Sequence, residues 1–322
     1  MPRFDLSLPE LRDYHPPVTE PADFDEFWRS TLAEARVFPA EPRLTRLASP
    51  LNQVEVYDLV FPGFAGQPVH AWYLLPAGTN GRLPAVVEYN GYGGGRGLPH
   101  ERLAWVTAGY AYLVMDTRGQ GSVWGSGGDT PDPNGTGPSV PGFMTRGIER
   151  PEDHYYRRVY TDAVRAIDAV RTLERVDPER VVVCGGSQGG GIVLAAAGLA
   201  EGLVGAMPEV PFLCHFERAV GMTEEDPYQE IVRYLSVHRD RAEQTFHTLS
   251  YLDGVNFAAR ATAPALFSVG LLDPVCPPST VFAAFNRYAG DAEIEVYPFN
   301  QHEGGGGHHW VRQAAWLERM LA

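Results

Sequence analysis

Apolar residues follow two spacings along this chain, and the switch between them organises it. Over residues 21–36 the side chains of Phe24, Phe27, Trp28, Leu32 and Ala35 recur every three or four positions behind an acidic start. That is the period of an amphipathic helix, expected to pack on the outside of the main domain. Residues 54–61 and 69–75 then read as two strands joined by Pro62-Gly-Phe-Ala-Gly-Gln-Pro68, an antiparallel opening to a sheet. Beyond them come short runs apolar at nearly every position: 84–90, 110–116, 180–186, 264–270 and 294–300. Runs without alternation suit strands covered on both faces. Helical stretches at 99–108, 152–174, 188–201, 278–289 and 308–321 lie between and after them. Strand and helix alternate, which predicts an α/β fold with a mostly parallel central sheet and helices on both faces.

Two segments break the alternation. Residues 119–150 are rich in Gly, Pro, Asp and Ser, and a loop of that length in a compact domain is usually functional or an interface element. Residues 215–260 read as several short helices, a small insertion placed where a cap would sit. We therefore expect a single domain over 1–322, with a helical extension at about 1–40, the loop at about 119–150 and the insertion at about 215–260.

Composition narrows the partners. The net charge of −14 argues against nucleic acid and anionic membranes, which need clustered positive charge. All 26 basic residues are Arg, so neither a P-loop lysine nor a Schiff-base lysine is available. Cys184, Cys214 and Cys276 lie far apart in apolar stretches, as buried free thiols do. The first residues carry no apolar signal core and no run is long enough to span a bilayer, so a soluble, cytoplasmic protein is expected.

The chemistry is concentrated at 180–195. An apolar strand leads into Gly185-Gly-Ser187-Gln-Gly189, and an Ala-rich helix comes after it. This is the G-x-S-x-G nucleophile elbow: the serine takes a strained backbone conformation while strand and helix pass so close that side chains at Gly185 and Gly189 would collide. Gly and Ser are common, and a plain glycine-rich turn is the bland alternative; the strand before and the helix after favour the elbow. A serine hydroxyl needs a base, and in this architecture the chain order is Ser, then acid, then His. Asp273 ends the strand at 264–270 and precedes Pro274. A turn-forming Asp is the alternative there, whereas Asp253 and Asp291 follow no predicted parallel strand. His302 lies just past the last strand, while His308 and His309 open the final helix. Metal binding by His302, Glu303, His308 and His309 is disfavoured, because four glycines interrupt the spacing and H-E-x-x-H is absent. The intermediate's oxyanion needs two N–H donors: Gln188, after the nucleophile, and Tyr92, in the loop Asn90-Gly-Tyr-Gly-Gly-Gly.

These runs, together with Arg118-Gly-Gln-Gly121, Gly270-Leu-Leu-Asp273, His302-Glu303, 141–148 and 155–158, resemble carbohydrate esterase family 7, the acetyl xylan esterases and cephalosporin C deacetylases. The resemblance runs from the N-terminal helix to the last helix. It implies an α/β-hydrolase fold, a Ser187–His302–Asp273 triad, Tyr92 and Gln188 amides as the oxyanion hole, and a structural Arg118. It also implies deacetylation of small acetylated substrates without a cofactor, and a hexamer. The rival readings are another α/β-hydrolase, such as an oligopeptidase or a general short-chain carboxylesterase, and a catalytically silent binding protein.

Overall fold

The chain is seen in a computed structural model that describes residues 5–17, 19–134, 137 and 141–322. The remaining positions, which include parts of the N-terminal extension and of the 119–150 loop, lie outside the described residues.

A nine-stranded sheet runs through the molecule in the order β1-β2-β3-β5-β4-β6-β7-β8-β9. The strands are β1 (Arg43–Arg46), β2 (Val54–Pro62), β3 (Pro68–Pro76), β4 (Leu83–Tyr89), β5 (Ala111–Met115), β6 (Val176–Gly186), β7 (Gly205–Glu209), β8 (Ala265–Gly270) and β9 (Ala292–Tyr297). The pairs β1–β2, β2–β3 and β3–β5 are antiparallel, and every pair from β5 through β4 to β9 is parallel. The fold is thus the expected α/β-hydrolase arrangement, with a mostly parallel sheet and helices around it.

The period-two geometry of the strands explains their unbroken apolar runs. Ala85, Val87, Leu113, Val181 and Val183 point to one face and pack with the helices α4 (Tyr155–Arg171) and α5 (Gln188–Leu199). Val86, Val114, Val182 and Cys184 point to the other and meet Trp105 of the short helix α3 (Ala104–Thr107) and Trp316 and Leu317 of α11 (Gly306–Leu321). Both faces are dry, so both alternating positions must be apolar.

One expectation about helices changes. The stretch at 99–108 is not one helix but a 3-10 turn at Pro99–Glu101 followed by α3. Arg102 sits between them and turns its guanidinium to Glu88 and the Asn90 side chain, at 2.8 Å each. The N-terminal amphipathic helix, α2 (Phe24–Arg36), lies on the outside of the domain, with Asp25, Glu26, Arg29, Ala33, Glu34 and Arg36 exposed. Its apolar face is buried: Phe24 and Trp28 are covered, and the Trp28 indole donates to the Tyr251 carbonyl at 2.9 Å and packs on Tyr160, which holds α2 against the insertion and α4. A five-residue helix, α1 (Leu8–Arg12), precedes it.

The insertion consists of α6 (Phe216–Met222), α7 (Tyr228–Val237), α8 (Ala242–Ser250) and α9 (Gly254–Ala258); α10 (Pro278–Phe285) comes after β8. The long loop is tied to the body where it is described. Asp116 accepts from the amides of Arg96, Asp129 and Thr130, and Arg158 clamps Asp132 at 2.7 Å. No helix among the described residues is long and apolar enough to cross a membrane.

Candidate active site

The carboxyl ends of the parallel strands hold the site, as open α/β sheets require. β6 stops at Gly186, α5 starts at Gln188, and Ser187 makes the turn between them with φ 58° and ψ −118°. A non-glycine residue in that region is strained. The flanking glycines permit it: a Cβ on Gly189 would lie 2.2 Å from the Tyr89 carbonyl oxygen, and one on Gly185 would lie 2.7 Å from both that oxygen and the Gly189 carbonyl carbon. The Ser187 amide donates to the Glu209 carbonyl at 2.9 Å, which ties the turn to the end of β7.

Asp273, past the end of β8, and His302, past β9, converge on this serine. His302 Nε2 is 2.8 Å from Ser187 Oγ, and His302 Nδ1 is 2.8 Å from Asp273 Oδ2. The other carboxylate oxygen of Asp273 accepts from the amides of Val275 and Cys276 at 2.8 and 2.9 Å. Asp273 is fully buried, so it is an acceptor held in place from both sides. A carboxylate can only accept, so Nδ1 carries the ring proton and Nε2 faces the serine hydroxyl with a lone pair. Asp273, Cys276 and His302 also place donor atoms within 4.8 Å of one another. Both His302 nitrogens are already engaged, and burial pushes the Cys276 thiol up, so it stays protonated.

The competing histidines sit elsewhere. His309 is buried in the first turn of α11, where its Nδ1 meets the Tyr297 hydroxyl at 3.1 Å, and His308 is exposed. Asp253 caps α9 and accepts from His215, Phe216 and Val255.

Tyr92 and Gln188 flank the serine from two sides. Among the described residues no acceptor takes the backbone N–H of either. Their side chains do something the sequence does not reveal. The Gln188 side chain is buried; it accepts from Tyr156 at 2.9 Å and Gln120 at 2.8 Å, and donates to the Asn90 carbonyl at 3.1 Å. Gln120 in turn accepts from the Gly93 amide at 2.7 Å. One buried amide, from the Arg118-Gly-Gln-Gly121 run, therefore joins the loop that carries Tyr92 to the residue after Ser187. The Tyr92 hydroxyl donates to Glu230 of α7 at 2.5 Å and accepts from the Phe143 amide at 2.7 Å. Glu230 is not among the residues that the sequence singles out. Its one signal there is a carboxylate near the buried Tyr228 and Ile231 on the insertion's helix. Above Ser187 and His302 lies a cleft of about 480 Å³, walled by Tyr92, Trp124, Asp226 and Glu230.

Such an elbow, on such a sheet, with an imidazole and a buried carboxylate aligned behind the serine, is the architecture of a serine hydrolase of the α/β-hydrolase fold, and the family to which the chain belongs makes it a carboxylic ester hydrolase. The chain belongs to the acetyl xylan esterase (AXE1) family, whose model matches residues 1–320. It is similar to an acetyl xylan esterase from Paenibacillus sp. R4, with 41% identity, a TM-score of 0.92, and coverage of 98% of this chain and 99% of that one. Acetyl xylan esterase 1 from Thermoanaerobacterium sp. aligns with a TM-score of 0.90 at 35% identity, covering 98% of this chain and 99% of that one. The acetyl esterase Axe7A of Xylanibacter ruminicola is 27% identical over 331 residues, spanning 97% of this chain and 70% of that protein.

Proposed function

We propose that this esterase removes acetyl groups from small acetylated substrates, xylo-oligosaccharides and cephalosporin C among them, through an acetyl-serine intermediate. The observation that carries the reading is the unbroken line Asp273–His302–Ser187 at the floor of the cleft. His302 takes the serine proton as Oγ attacks the acetyl carbonyl, and Asp273 holds the ring's tautomer and stabilises the imidazolium. The Tyr92 and Gln188 amides, which have no acceptor among the described residues, are the donors for the oxyanion in this reading, and that electrostatic contribution is usually the largest single one in acyl transfer. His302 then protonates the leaving alcohol. Water enters and attacks the acetyl carbonyl as His302 takes its proton; the C–Oγ bond then breaks, His302 returns the proton to Ser187 Oγ, and acetate leaves. The reading requires no cofactor.

The test is Ser187→Ala: hydrolysis of an aryl acetate should fall to background, and retained turnover would refute the assignment. Labelling of the native protein by a fluorophosphonate separates the esterase from a silent binding protein, since only an activated serine reacts. A peptide anilide, left untouched while the aryl acetate is cleaved, sets aside an oligopeptidase. The family resemblance also carries a homo-hexamer and a cytoplasmic location into the proposal. Three unpaired, buried cysteines suit a reducing compartment, and sedimentation at several concentrations tests the assembly.

A further inference from the structure

The cleft above Ser187 carries a charge that acetyl transfer does not need. Two carboxylates line it, Asp226 and Glu230, and among the described residues no arginine does. Glu230 is buried, with Oε1 taking the Tyr92 hydroxyl and Oε2 the Met144 amide at 3.0 Å. Both partners donate, so the group is held as an acceptor. Asp226 stands at the mouth with its side chain 61% exposed. Its cationic partner, Arg233, lies 2.6 Å away, is not part of the cleft wall, and offsets part of the Asp226 charge. Trp124, half exposed, forms part of the same cleft; its indole N–H donates to the Tyr92 carbonyl at 2.6 Å, which fixes the ring beside the oxyanion loop.

A wall of acceptors beside an anchored indole suits one kind of leaving group. Hydroxyl groups can donate to the carboxylates, and the C–H face of a sugar ring can pack on the indole. A carboxylate in the same position meets like charge in a partly dry cleft. We propose that Asp226 and Glu230 determine specificity on the alcohol side of the ester, favouring uncharged polyhydroxylated or cationic alcohols over those that carry a carboxylate near the acetyl group. The proposal rests on the esterase reading of Ser187. It also ranks the substrates of that reading: acetylated xylo-oligosaccharides carry no charge, whereas cephalosporin C carries carboxylates.

The size of the effect comes from Coulomb's law. Two like charges about 8 Å apart at an effective dielectric of about 40–80 repel by the equivalent of about two- to sixfold each. Two bare wall carboxylates would give about five- to thirtyfold; Arg233, at about 11 Å from the same point, offsets part of the Asp226 share and leaves about three- to tenfold, and the effect shrinks with salt because the Debye length is only about 10 Å at 0.1 M.

The experiment uses a matched pair, methyl 2-O-acetyl-glucopyranosiduronate and its primary amide, which are nearly the same size and differ in one charge. Acetate release gives kcat/KM for each, at low and at high salt. The wild type should prefer the amide by about three- to tenfold at low salt, with the gap closing at high salt. Asp226→Asn should narrow the gap by about two- to sixfold, and Arg233→Gln should widen it. Equal rates on acid and amide, or a gap that neither salt nor D226N moves, would overturn the proposal. If neither acetate is cleaved and the fluorophosphonate does not label the protein, the esterase reading itself fails, and the selectivity proposal falls with it.

Discussion

Arg118 is the residue whose loss should be felt most widely for its distance from the serine. Its side chain has no exposure, and it forms a two-pronged pair with Asp162: Nε to Oδ2 at 2.6 Å and a second nitrogen to Oδ1 at 2.7 Å. Gln67 accepts a further bond at 2.6 Å, and Asp132 lies 3.4 Å away. Arg118→Met keeps most of the side-chain volume and removes the charge. Asp162, whose side chain is 1% exposed, is then left with the Phe64 amide at 2.8 Å as a remaining donor. Breaking one side of a buried pair in this way costs about 3–5 kcal/mol. At roughly 2.1 cal/mol/K of unfolding entropy per residue, the 322-residue chain should melt about 4–7 °C lower. Asp162→Asn alone should cost less, because Arg118 keeps Asp132 and Gln67. In the double variant no anion is stranded at 162, so it should recover about 1–3 kcal/mol relative to the sum of the single changes. Urea unfolding of the four proteins at one fixed concentration measures the cycle. The site should register the change too: the Tyr155 hydroxyl donates to the Arg118 carbonyl and accepts from Gln120, so R118M should lower kcat with the triad intact. A melting temperature within about 1 °C of wild type, or strict additivity in the cycle, would refute the buried-pair argument.

Other changes test other parts of the same construction. Gln120→Ala removes the bonds to Gly93 and Gln188 and should reduce kcat by about 10- to 100-fold, with KM little changed, because it loosens together the two segments whose amides are proposed to hold the oxyanion; steady-state kinetics on an aryl acetate decide it. Gly185→Ala drives a Cβ to 2.7 Å from backbone atoms and should leave no soluble, folded enzyme, as a purification trial would reveal. His154, the N-cap of α4, is fully buried, and burial lowers its pKa from 6.5 to about 3. A depressed histidine contributes stability that is full above pH 6.5 and is lost as the pH falls toward 3. His154→Asn keeps a capping side chain and removes that titration. Between about pH 7 and pH 4.5 the variant should therefore lose about 2–3 kcal/mol less stability than the wild type; parallel urea curves at the two pH values check the sign.

What the sequence discloses and what it conceals divide along a physical line. Strands buried on both faces announce themselves by apolar runs, so β4, β5, β6 and β8 lie within a few residues of where those runs place them. β1 escapes the pattern because all four of its residues are exposed and Arg-Leu-Thr-Arg has no strand alternation. β7 escapes it because Gly-Ala-Met-Pro-Glu is short and carries a proline; it is a strand because β6 and β8 flank it. Ser187, Asp273 and His302 are legible for a different reason. Each stands at the end of a strand that periodicity reveals, and the order of the strands assigns the order of the groups. The residues that hold them have no such marker. Tyr92 and Glu230 are 138 positions apart, and Gln120 and Gln188 are 68 apart; neither partner's neighbourhood points to the other. Substitutions divide in the same way. A change at an elbow glycine is excluded by local sterics and can be foreseen from the chain alone. A change at Gln120 or Glu230 alters a hydrogen bond whose other half belongs to a different element. Its effect should appear in the geometry of the loop that carries Tyr92 before it appears in stability, because each side chain joins elements that the sheet and helices already fix.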